Sequence, residues 1–157
     1  MTTSISDIRT VPVQEDLTTD DLRCSIIRGL ETMSRVDKKL APGVQLLSGQ
    51  WGVLQPDGTI SLPGSSSAAS SYLVFLGTDR FDVKATGAVT VIMNSPIIVK
   101  SSTYNVMGSY SVGTYLTVKG GVVVTPAASG DFVVGKVTEI GQGYLVYEVV
   151  PVPFQVK

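Results

Sequence analysis

Histidine is absent from the 157 residues, cysteine occurs once, and charge thins out after the first quarter of the chain. Each shortage excludes something. Without imidazole there is no Ser-His-Asp or Cys-His machinery and no histidine-ligated metal, which removes most hydrolases. With Cys24 alone, no intrachain disulfide forms, and a lone thiol is inert unless a cation or an imidazole activates it. No apolar run approaches the roughly 18 residues that a membrane-spanning helix requires. The opening MTTSISDIRT also lacks a basic-then-apolar leader pattern, so a membrane is not an expected partner.

Charge is unevenly spread. Residues 1–39 hold 13 of the 25 charged side chains, six basic and seven acidic, which leaves 12 for the 118 residues that follow. Soluble domains average about a quarter charged residues. A body this poor in charge either shows water a Ser/Thr/Gly-rich surface or has part of its surface covered by another molecule. The formal net charge is −1 and the pI is near 5.3. Bases dispersed among acids do not form the clustered surface that phosphate neutralisation needs, so nucleic acid is not expected as a partner. The mean hydropathy of +0.29 is read as β-core and buried interfaces.

Reaction chemistry finds little to stand on. Asp20 with Asp21 and Asp79 with Asp82 are the close carboxylate pairs, and paired acids can divide acid and base roles. Asp20 and Asp21 instead suit a helix start, and Asp79 and Asp82 flank a turn. Neither 79–82 nor 129–131 has the alternating oxygens of a calcium loop. Lys119-Gly120-Gly121 and Gly135-Lys136-Val137 lack the loop and helix of a phosphate site. No enzyme activity, cofactor or metal is expected.

What is present is β-structure. Between residues 104 and 151, Val, Tyr, Thr and Leu run in groups of about five, broken by Gly113, Gly120-Gly121, Ser129-Gly130-Asp131 and Gly141-Gln142-Gly143. That is the pattern of short antiparallel strands joined by tight turns. Upstream, strands are predicted at 44–47, 51–55, 59–62, 72–76, 81–83, 89–93 and 97–100. Pro56-Asp57-Gly58 makes a hairpin between the second and third of these. The strand at 89–93 is apolar on both faces, which marks it as central or interface-buried. Trp51, the sole tryptophan, is expected as a core anchor rather than a ligand-stacking residue. Residues 63–71, PGSSSAASS, form the one low-complexity segment and are read as a flexible surface loop.

The first quarter reads differently. Residues 1–18 alternate weakly (Ile5, Ile8, Val11, Val13) and Pro12 bars a helix through them, so an extended arm is expected. Ile5, Ile8, Arg9, Val11 and Val13 are its candidate contacts with a sibling subunit or another neighbouring surface; the bland alternative is a frayed terminus. Thr18-Thr19-Asp20-Asp21 is a helix-start signal. With Leu22, Ile26 and Gly29 it predicts a short helix over 20–28. Residues 30–36 fit either a continued helix or a first strand, with a strand favoured, and 37–43 make a turn. The organisation expected is an arm with a short helix (1–29), an all-β small antiparallel barrel or sandwich (30–151) and a short tail (152–157).

One stretch carries a family resemblance. Ala127, Gly130, Asp131, Val133, Gly135 and Val137 match an Ala-x-x-Gly-Asp-x-Val-x-Gly-x-Val pattern. It resembles the β-barrel of tailed-phage capsid decoration (cement) proteins. More loosely, Ala41-Pro42-Gly43 with Trp51-Gly52-Val53-Leu54 and Asp57-Gly58 is similar to the front half of the same module. The resemblance implies a virion structural protein, made in the host cytoplasm, that binds the outer surface of the major capsid protein lattice and stabilises the head. A homo-oligomer suits this role, a trimer more than a dimer. The alternative is a carbohydrate- or receptor-binding β-module of a virion fibre or tail, with Tyr104, Tyr110 and Tyr115 as a sugar-stacking surface.

Overall fold

The computed structural model describes residues 24–29, 34–75, 88–93 and 96–157. All regular structure among them is β. The strands are β1 (Cys24–Arg28), β2 (Arg35–Lys39), β3 (Trp51–Leu54), β4 (Ile60–Ser61), β5 (Ser71–Val74), β6 (Ala88–Ile92), β7 (Ile98–Ser101), β8 (Tyr115–Thr117), β9 (Thr125–Pro126), β10 (Phe132–Gly141) and β11 (Tyr144–Gln155). They form two antiparallel sheets, a six-stranded one in the order β9-β8-β10-β11-β7-β1 and a five-stranded one in the order β2-β6-β5-β3-β4.

The fold is a sandwich, and the faces explain the patterning. Cross-strand neighbours Trp51, Leu73 and Ile92 face the six-stranded sheet. There they pack with Val99, Leu116, Val137, Leu145 and Tyr147 in the larger core. The alternate residues Val74, Val89 and Val91 point the other way, into a second core with Leu46 and Ile60. The middle strands β5 and β6 therefore bury side chains on both faces, whereas β2 at the sheet's edge is mostly exposed. The sheet also curls. Leu40, just past β2, makes a parallel bridge to Ile60 in β4, and Ala41 N donates to Ile60 O at 2.9 Å. The two edges meet at that point without a continuous ladder, so the barrel stays unclosed.

Four expectations are corrected. The 20–28 helix is not formed where it is described: Cys24–Arg28 is a strand paired with β7. Cys24 and Ile26 face the larger core at period two, and burial there outweighs the weak helical spacing. The turn expected from Asp37 begins later. Residues 35–39 are β2, and the reversal is carried by Ala41-Pro42-Gly43, where Val44 N donates to Ala41 O at 3.1 Å. No strand forms at 44–47, although Leu46 is buried. Nor is 152–157 a separate tail, since β11 continues to Gln155 and Phe154 pairs with Val133. The expected strand at 81–83 lies outside the described residues.

Hairpin chemistry matches the sequence more closely. At the β3-β4 turn Gly58 adopts φ +89°, and the Asp57 carboxylate accepts Thr59 N at 2.9 Å and Thr59 Oγ1 at 2.7 Å. The β10-β11 hairpin closes through Gln142-Gly143, with Gly141 opposite Tyr144.

Candidate interaction surface

Residues 102–114 connect β7 to β8, and no charged side chain occurs between Ser101 and Val118. The connection is built as two turns around one side chain, Tyr110. Its hydroxyl donates to Asn105 O at 2.6 Å, and its ring stands edge-on to Tyr104 with centroids 5.6 Å apart. Burial pushes the Tyr110 hydroxyl pKa up, with Tyr104 adding to the effect. The first turn is closed by Gly108 N donating to Asn105 O at 3.1 Å and by Met107 N donating to Asn105 Oδ1 at 3.1 Å. Asn105 Nδ2 donates in turn to Thr125 Oγ1 at 3.0 Å, which ties this turn to β9.

The second turn is anchored to β10. Gly113 N donates to Val137 O at 2.8 Å, and Val137 N donates to Thr114 O at 2.9 Å. Ser111 N donates to Thr114 Oγ1 at 2.9 Å. With the backbone satisfied in this way, the tips are left to present side chains. Val106, Met107 and Val112 are 72%, 88% and 70% exposed. Water gains nothing from three apolar side chains held out on well-bonded turns, whereas a partner surface would bury them favourably.

A second constellation holds the sandwich together. The Asp131 carboxylate accepts Lys119 Nζ at 2.6 Å and Ala128 N at 2.8 Å, and Ser67 is also a hydrogen-bond partner. Burial alone would raise this carboxyl's pKa. Hydrogen bonds from Lys119 and Ala128, the Lys119 charge and the Ser67 bond outweigh burial and hold it below the usual carboxylate value. Around Asp131, Phe132 N donates to Ser67 Oγ at 2.8 Å and Gly120 N donates to Gly64 O at 2.7 Å. The Ser-rich segment read as a flexible loop is thus pinned to the six-stranded sheet. Small residues let its backbone approach closely, and composition alone does not separate that use from flexibility.

The remaining pattern residues have structural roles. Gly130 adopts φ +89°, and Val133 and Val137 are buried. At Gly135 a Cβ would stand 3.0 Å from the Tyr147 ring, so this glycine admits the tyrosine.

The sequence-predicted site residues fall as follows. Ile5, Ile8, Arg9, Val11 and Val13 lie outside the described residues, as do Asp20, Asp21, Asp79 and Asp82. Tyr104, Tyr110 and Tyr115 do not share one surface role. The first two are half-buried against the larger core, while Tyr115, 42% exposed, meets Phe154 edge-on at 5.4 Å. Trp51 is buried, as expected of a core anchor. Sequence reasoning missed Val106, Met107 and Val112 by reading 104–113 as strand and turn. The available signal was apolar residues placed beside turn formers in an uncharged run. Among the described residues no three Cys, Asp or Glu side chains gather as metal ligands. Comparison with protein-family models, curated proteins and solved structures returns no significant match.

Proposed function

We propose that the chain is a viral capsid decoration protein that binds the outer face of the major capsid protein lattice as a homo-oligomer and stabilises the head. The observation that carries this reading is the uncharged promontory of Val106, Met107 and Val112, held on hydrogen-bonded turns of a charge-poor sandwich. Cementing a shell needs contact surface repeated over many copies, so that modest binding at each site adds up. The Ala127 to Val137 pattern supports the same reading through its resemblance to decoration proteins. In this reading the arm residues Ile5, Ile8, Arg9, Val11 and Val13 supply further contacts to the shell or a sibling subunit, and a trimer presents several arms together.

The test is co-sedimentation of the purified protein with empty capsid shells, alongside the shells' thermal transition. Decoration predicts saturable binding and a higher shell melting temperature. A protein that leaves both unchanged is not a cement protein. The fibre or tail reading draws on one observation, the half-exposed Tyr115–Phe154 pair on the six-stranded sheet. It predicts glycan binding that is lost in Tyr115→Ala, with shells unaffected.

A further inference from the structure

The dense charge of the first 39 residues is also segregated. Residues 1–21 carry five acids (Asp7, Glu15, Asp16, Asp20, Asp21) against one base, and residues 22–39 carry five bases against two acids. Three of those bases, Arg35, Lys38 and Lys39, stand on β2, which is an edge of the five-stranded sheet. None of the three carries an ion pair among the described residues. The one acid on the strand, Asp37, accepts the Thr90 hydroxyl at 2.8 Å.

Hydrogen-bond phase decides which backbone groups face outward. Met93 N donates to Ser34 O at 3.0 Å, in the register that continues as Val36 opposite Val91 and Lys38 opposite Val89. Bonded and non-bonded pairs alternate along an antiparallel ladder, so the N–H and C=O of Arg35 and Asp37 point away from β6. Past Lys39 the edge is closed by the Leu40–Ile60 bridge. The stretch 35–38, whose outer side pairs with no other strand among the described residues, has the length of a short strand. Cations on an edge deter indiscriminate strand pairing, and the same cations favour one class of guest, an acidic extended segment.

We propose that this edge receives the acidic stretch 14–21 of a second copy of the chain, joining subunits head to tail. Within 14–21 there are four acids and no base, the complement of β2. A contact between two different patches closes into a ring when its rotation allows. The inference rests on the homo-oligomer of the reading above and not on the shell, so it is tested with no shell present.

The experiment compares full-length variants by analytical ultracentrifugation. One reverses the edge (Arg35→Glu, Lys38→Glu, Lys39→Glu), and the other reverses the arm (Glu15→Lys, Asp16→Lys, Asp20→Lys, Asp21→Lys). The wild type is expected to self-associate at about 50 mM salt and to weaken towards about 500 mM, where exposed charges are screened. Each variant alone should associate on the order of tenfold to a hundredfold more weakly, as a few exposed pairs are lost. An equimolar mixture should re-form mixed oligomers, because each arm then finds an edge of opposite sign. A monomeric wild type, an edge reversal without effect, or a mixture that fails to associate would overturn the proposal. So would sensitivity to the edge reversal but not to the arm reversal, which would assign the edge to a different acidic partner. If a reversed variant loses its β-sheet circular dichroism, the wild-type salt series decides, and an unchanged mass across it refutes the contact.

Discussion

Trp51 Nε1 donates to the Tyr147 hydroxyl across 3.4 Å, linking the five-stranded sheet to the six-stranded one through the buried middle of the sandwich. Both side chains are buried. Burial pushes the Tyr147 hydroxyl pKa up, and Cys24 beside it adds to that, so the folded environment favours the neutral phenol. Tyr147→Phe removes the acceptor and leaves the indole N–H unpaired, at a cost of roughly 1–3 kcal/mol. Trp51→Ala empties the same space and should cost about 3–5 kcal/mol. Urea unfolding followed by circular dichroism checks both. A Tyr147→Phe midpoint equal to wild type would mean that the pair is packing alone.

Asp131 makes stability depend on pH. Its carboxyl pKa is depressed in the folded protein, so over the titration range the unfolded chain binds more protons than the folded one. The contribution is then complete above the unfolded pKa and is lost as pH falls through the folded pKa. Wild-type urea midpoints should therefore drop below about pH 5, in the usual carboxylate range. Asp131→Asn should be destabilised at pH 7 by roughly 1–3 kcal/mol, the range for breaking a charged hydrogen-bond set, and should show a smaller fall in acid. A mutant curve parallel to wild type from pH 7 to pH 3 would remove Asp131 from the account.

Gly52 is set by space rather than by backbone angle. A Cβ there would collide with Ile60 Cγ2 and lie 2.7 Å from Leu46 Cδ1, inside the second core. Gly52→Ala should cost about 1–3 kcal/mol by overpacking. Ile60→Ala removes the Cγ2 methyl group that the new Cβ would meet, so the double variant should lose less than the sum of the two single variants. Additive losses in thermal unfolding would show that the strain lies elsewhere.

How far these features could be read from residues alone varies along the chain. The β-runs after residue 104 were legible because Val and Tyr alternate with turn glycines at strand spacing. The 56–58 hairpin was legible because Asp-Gly fits few other conformations. Residues 24–28 misled because Leu22, Ile26 and Gly29 satisfy a helix template over one turn, and only pairing with β7 decides between templates. The Ser-rich strap misled because its role comes from Asp131, Phe132 and Gly120, more than fifty residues away. The promontory was hidden for a related reason. Exposure is a property of the assembled surface, and Val112 reads the same whether it faces core or water.

That promontory makes the sharpest demand on the proposed function. Val106, Met107 and Val112 contribute little to the fold, since their turns are held by Asn105, Tyr110 and Thr114. Met107→Asp with Val112→Asp should therefore leave the urea midpoint within about 0.5 kcal/mol of wild type, as surface changes usually do. If the tips are buried against a shell, each is worth about 1.5–3 kcal/mol there, and placing a carboxylate in that contact adds a desolvation cost. Binding of the double variant to empty shells should then fall by at least about a hundredfold, with the loss appearing chiefly in dissociation rate. Asn105→Ala supplies the complementary case. It removes the two side-chain bonds of Asn105, to Met107 N and Thr125 Oγ1, while keeping every apolar tip, so binding should weaken by a smaller factor, through lost preorganisation. Wild-type affinity in the double aspartate variant, with shells that bind the unmodified protein, would move the contact surface away from these turns.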